Sequence, residues 1–151
     1  MRAQSAMTRD VTCIAPADDL DAAWALMVRL AIRHLPVLDG ETLVGILSDR
    51  DVLVHAQLDE EDALEVPAIP VSSAMTARPV TCTPEARVSE VAGLMLDHKI
   101  DCLPVVDEHG NMVGLITSSD LLELLRTREE AGDRALPFRW RVHPNALRTV
   151  A

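Results

Sequence analysis

The sequence predicts an α/β fold made of two tandem copies of one β-α-β-β-α unit. Three observations carry that expectation. Short motifs recur in the same order some 68 residues apart, as from Met7 to Met75. Within each copy, apolar residues alternate between strand-like runs and three- and four-residue helical spacing. Hydrophobic residues make up 48% of the 151, enough for a core, and with aromatics at 2% and no Tyr that core has to be aliphatic.

The repeat is legible residue by residue. Ser5-Ala6-Met7-Thr8 returns as Ser73-Ala74-Met75-Thr76, and Val11-Thr12-Cys13 as Val80-Thr81-Cys82 after one inserted residue. Leu26-Met27 matches Leu94-Met95. Leu35-Pro36-Val37 with Asp39 matches Leu103-Pro104-Val105 with Asp107. Val44-Gly45 matches Val113-Gly114, and Ser48-Asp49-Arg50-Asp51 matches Thr117-Ser118-Ser119-Asp120. Chance does not keep such matches in order, so the chain is an internal duplication.

In the first copy, residues 11–14 are a short β-favouring run closed by Pro16. Asp18 and Asp19 suit a helix N-terminus, and Leu20, Ala23, Met27 and Leu30 then share one helical face. Residues 35–38 and 44–47 read as two strands joined by the turn signal Asp39-Gly40. A second helix starts near Asp49 or Arg50 and carries Val52, Leu53 and Ala56. In the second copy the equivalents are Val88, Val91 and Met95, the turn Asp107-Glu108-His109-Gly110-Asn111, and the helix of Leu121, Leu122 and Leu125.

These elements divide the chain into repeat 1 (4–58), an acidic, Pro-containing linker (59–71), repeat 2 (72–128) and an Arg-rich tail (129–151). The stretch 58–65 holds five carboxylates in eight residues, which reads as a solvated linker or a fraying helix end; no regular ligand alternation supports a metal site there. The tail combines Arg134, Arg139, Arg141 and Arg148 with Phe138 and Trp140, and is expected to dock on its own or a neighbouring subunit through Trp140.

A net charge of −10 argues against a bulk surface that grips nucleic acid or anionic lipid. Cys13, Cys82 and Cys102 show no Cys-x-x-Cys spacing, so neither a disulfide framework nor a structural zinc site follows. The N-terminus lacks the apolar stretch of a signal peptide, and the longest apolar run, residues 22–28, is too short to span a bilayer. A soluble, cytoplasmic protein is the expectation. Trp24 beside Ala25, Leu26 and Met27 gives one helix more apolar surface than a small pair of repeats should bury, which predicts a homodimer. No Ser-His-Asp order, P-loop or His-Glu-x-x-His motif occurs, so no enzyme is expected.

Chemistry concentrates where the second hairpin strand runs into the second helix. In Ser48-Asp49-Arg50-Asp51 the hydroxyl can donate to a phosphate, the backbone N–H groups favour an anion, Arg50 supplies a fixed cation, and Asp51 can accept from vicinal hydroxyls such as those of a ribose. Ser48 and Asp51 also read as an ordinary helix cap, and the two roles can coexist.

The doubled Leu-Pro-Val-x-Asp hairpin, the Val-Gly-hydrophobic strand and the Ser/Thr-x-x-Asp step make the chain resemble a cystathionine-β-synthase (CBS) domain pair, or Bateman module, over roughly residues 4–128. The resemblance implies two repeats packed through their sheets as a pseudo-two-fold pair, with clefts that bind an adenosine-containing ligand such as AMP, ADP or ATP. No cofactor is required. It implies a first cleft made by Ser48, Arg50 and Asp51 with Thr76, Thr81 and Ile100. A second follows from Thr117, Ser119 and Asp120 with Thr8, Thr12 and Ile32, each Ile flanking the adenine. The isoleucines also read as core residues and the threonines as β-formers. Copy two has Thr-Ser-Ser-Asp where copy one has Ser-Asp-Arg-Asp, so its cleft lacks that phosphate cation.

The function expected is that of a stand-alone regulatory sensor, with an unidentified regulated protein as a further partner. The alternative is a ligand-free protein–protein interaction scaffold. His34 and Cys102 stand at equivalent positions before Leu-Pro-Val and admit a metal or redox pair, although burial as strand residues explains them more simply. Cys13 and Cys82 read as small core residues, His98 and His109 as exposed ones.

Overall fold

The computed structural model describes residues 1–127, and the tail expectations lie outside them. A short 3-10 turn at Ala3–Ser5 leads toward α1 (Leu20–Leu30), which buries Leu20, Ala23 and Met27 on one face as the spacing requires, while Leu30, expected on that face, is exposed in the last turn. β1 (His34–Asp39) and β2 (Thr42–Ser48) form an antiparallel hairpin closed at Gly40, whose φ of +61° suits a residue without a Cβ. α2 (Asp49–His55) follows directly. After it come β3 (Gln57–Leu58), β4 (Leu64–Glu65), a 3-10 turn at Val71–Ser73 and β5 (Thr76–Ala77). The second repeat then gives α3 (Val88–His98), the hairpin β6 (Cys102–Val106) and β7 (Met112–Thr117), and α4 (Ser118–Thr127).

Each repeat has its own aliphatic core. Leu35, Val37, Leu47 and Val52 close over the apolar face of α1, and Leu103, Val105 and Ile116 do the same over Val91 and Met95 of α3. Each core is completed by the segment that leads into the other repeat. Val71 is fully buried in the first core and Ala3 in the second. The backbone follows: Leu20 N donates to Ile69 O and Val71 N to Asp18 O, both at 2.8 Å, while Ala3 N donates to Ala86 O at 2.8 Å. β5 pairs with β2 through Ile46 and Thr76, and Thr8 pairs with Leu115 of β7 in the same antiparallel sense.

That crossing explains two glycines. A Cβ at Gly45 would run into the Met75 side chain and sit 3.1 Å from the Thr76 carbonyl oxygen. At Gly114 it would run into Met7 and sit 3.0 Å from the Thr8 carbonyl oxygen. The recurring Ser-Ala-Met-Thr motif is thus a reciprocal stitch, and the repeats form a pseudo-two-fold pair.

Five expectations need revision. The first strand of each copy shrinks to one bridging residue, Ile14 against Val37 and Cys82 against Val105, both parallel. Pro16 and Pro84 follow two residues later and have no N–H with which to extend a ladder. Asp19 makes no side-chain cap on α1; Asp18 instead accepts from Ala15 N at 2.7 Å, and the crossing segment satisfies the helix start. The acidic stretch 59–65 is exposed, but its β4 pairs back on β3 at the end of the first repeat in a hairpin turned by Asp59, whose carboxylate accepts from Glu61 N at 2.8 Å and Ala63 N at 2.9 Å. Cys82 is buried as expected, whereas Cys13 is only half-buried. Trp24 and Leu26 pack against their own core, so they do not form the free strip that motivated a dimer.

Candidate functional site

β2 ends at Ser48 because its hydroxyl and the Asp51 carboxylate close a capping box on α2. Asp51 Oδ2 accepts from Ser48 N and Ser48 Oγ, both at 2.8 Å, and Asp51 N donates back to Ser48 Oγ at 3.2 Å. The second repeat repeats the geometry. Asp120 Oδ2 accepts from Thr117 N at 2.7 Å and Thr117 Oγ1 at 2.8 Å, and Asp120 N donates to Thr117 Oγ1 at 3.3 Å. In both aspartates the second oxygen has no hydrogen-bond partner among the described residues. The capping role is therefore real, and it leaves one acceptor on each carboxylate. The Ser48 hydroxyl proton is engaged by Asp51, so it must rotate away to serve a phosphate.

Each junction lines a cavity, of about 350 Å³ at Ser48 and about 310 Å³ at Thr117. The first brings Ser48, Arg50 and Asp51 together with Thr76 and Ile100 across the repeat boundary; Thr81 is not part of that lining. The second brings Thr117, Ser119 and Asp120 together with Thr8, Thr12 and Ile32. A wider hollow of about 560 Å³ lies elsewhere, against Met1, Arg87, Val88 and Leu125, and its lining carries no carboxylate.

The sequence reading missed several charged residues at these clefts. Arg33, Arg78, Lys99 and Asp101 line the first, and Asp10 and Arg33 the second. The available signal was position: Arg78 follows Thr76 by two residues, and Lys99 and Asp101 flank Ile100. Arg50 Nη2 lies 3.8 Å from Asp101 Oδ2, an ion pair between two partly exposed side chains from different repeats.

His34 and Cys102 both line the first cleft. Burial holds the His34 imidazole below its ordinary range, with Asp49 opposing and Arg33 reinforcing the shift. Burial, helped by Asp120 and Asp101, pushes the Cys102 thiol up to about 12, so it is a poor nucleophile and a poor metal ligand. Among the described residues, no three His, Cys, Asp or Glu side chains come together as a metal site requires.

Two stitched β-α-β-β-α repeats with a matched pair of clefts define a tandem-repeat module. The CBS domain family matches the chain twice, over residues 3–57 and 71–127, and the chain belongs to that family. Inosine-5'-monophosphate dehydrogenase of Korarchaeum cryptofilum is 36% identical over 135 residues, covering 87% of this chain but 26% of the enzyme. CBS domain-containing protein YhcV of Bacillus subtilis is 30% identical over 126 residues, 83% of this chain and 86% of YhcV. The crystal structure of CBSX2 in complex with AMP superposes with a TM-score of 0.71 at 27% identity, covering 83% of this chain and 96% of that one.

Proposed function

We propose that this CBS pair is a regulatory sensor that binds an adenosine-containing ligand, of the AMP, ADP or ATP type, in the clefts between its repeats. The observation that carries the reading is the pair of matched aspartates, each with one oxygen committed to a helix cap and the other without a partner among the described residues, beside a half-buried isoleucine. A carboxylate oxygen accepts the ribose hydroxyls, and Ile100 or Ile32 flanks the adenine. That CBSX2, of the same fold, holds AMP supports this choice of ligand. Binding acts on a regulated partner protein, and on a second copy of the chain, by favouring one relative pose of the two repeats. Three free cysteines support a reducing, cytoplasmic setting, and no helix among the described residues is long and apolar enough to cross a membrane. The role is binding rather than catalysis.

Thermal unfolding with AMP or ATP tests the reading. Ligand at 100 times Kd adds about 2.7 kcal/mol of stability and raises Tm accordingly. An unchanged Tm at millimolar concentrations of both nucleotides would favour the scaffold alternative.

A further inference from the structure

We propose that the two clefts sort adenosine ligands by charge: the cleft at Ser48 takes a phosphorylated, anionic nucleotide, and the cleft at Thr117 takes an adenosine derivative without phosphate charge. The inference rests on the adenosine reading above and asks which form each cleft holds.

The two copies of the repeat differ where their residues line the cavity walls. Two residues after the shared Met-Thr, the first cleft has Arg78 and the second Asp10, a full reversal of charge. Lys99 is replaced by Ala31, and both close their helices in the left-handed conformation at φ +54°, so the backbone is the same and only the ammonium is lost. Arg50 is replaced by Ser119. The first cleft is lined by four cations against three carboxylates, one of which, Asp101, pairs with Arg50. The second is lined by two carboxylates, Asp10 and Asp120, against a single cation, Arg33.

Arg33 is shared by both walls, so an anion bound at Ser48 draws on the one cation available to the second cleft. Arg78, Lys99 and Arg50 are exposed at the rim, where water and salt screen each charge. Their effect therefore grows with the number of phosphates and falls with ionic strength. The aspartate and isoleucine that the adenosine reading assigns to ribose and adenine, by contrast, line both clefts.

Calorimetry on the full chain with adenosine and ATP, at low and high salt, tests the division. The expected result is saturation at two adenosines but one ATP per chain, with only the ATP affinity falling as salt rises. Arg78→Asp should lower the ratio of ATP to adenosine affinity by about tenfold, or about 1.4 kcal/mol. Asp10→Arg combined with Ser119→Arg should raise ATP saturation from one to two. Two ATP of equal affinity in the unaltered chain, or a ratio untouched by Arg78→Asp, overturns the charge division while leaving the adenosine reading intact. Absence of adenosine binding overturns both.

Discussion

At Asp51 one carboxylate oxygen closes the capping box on Ser48, and the other, without a partner among the described residues, is the one the proposal gives to the ligand. Two substitutions separate these roles. Asp51→Ala removes both and should cost about 1 kcal/mol of stability, from the hydrogen bonds its carboxylate accepts from Ser48, while Ser48 Oγ still caps the backbone N–H of residue 51. Asp51→Asn keeps an oxygen for the cap and turns an amide donor toward the cleft, so the fold should hold while AMP affinity falls roughly 10- to 150-fold. Calorimetry on both variants checks this, and unaltered AMP binding by Asp51→Asn would remove Asp51 from the site. His34 supplies a pH dependence. Burial lowers its folded pKa below the unfolded value, so the unfolded chain binds the proton more readily, and stability is lost as pH falls through the ordinary histidine range. Melting curves from about pH 8 to 5 should show this fall, and His34→Gln should flatten it. Ser48 and Asp51 were legible in the sequence because their spacing recurs at Thr117 and Asp120. Arg33, Arg78 and Lys99 were not, because a lone cation beside a motif has no periodicity to distinguish it from any solvated side chain.

The crossing segments decide how the elements assemble. Gly45 and Gly114 let Met75 and Met7 lie flat across the neighbouring strands. Gly45→Ala forces the crossing strand outward and should destabilise the fold by about 1–3 kcal/mol, as overpacking does. Calorimetric unfolding measures it, and a Tm equal to that of the unaltered protein would show that the stitch has room to yield. The helices and hairpins were legible from spacing and turn residues. The exchange of segments was not, since Val71 and Ala3 carry no mark of which core they enter. The two-residue strands of the linker hairpin were equally hidden, because the turn chemistry of Asp59 lies inside a run of like charges that reads as repulsion.

At the scale of the molecule, the outer helices of the described residues carry exposed apolar side chains. Val54 is 81% exposed, Leu96 77% and Leu125 69%. These, rather than Trp24, are the residues that support the proposed second copy of the chain. Double-sided burial of that kind and ligand capture in the clefts are both read by one experiment. Native mass spectrometry of the purified protein with AMP in excess reports subunit number and bound nucleotide together. The account predicts a dimer carrying AMP, with occupancy reduced on Asp51→Asn. A protein that holds no nucleotide at millimolar AMP would contradict it, leaving the aspartates as helix caps alone.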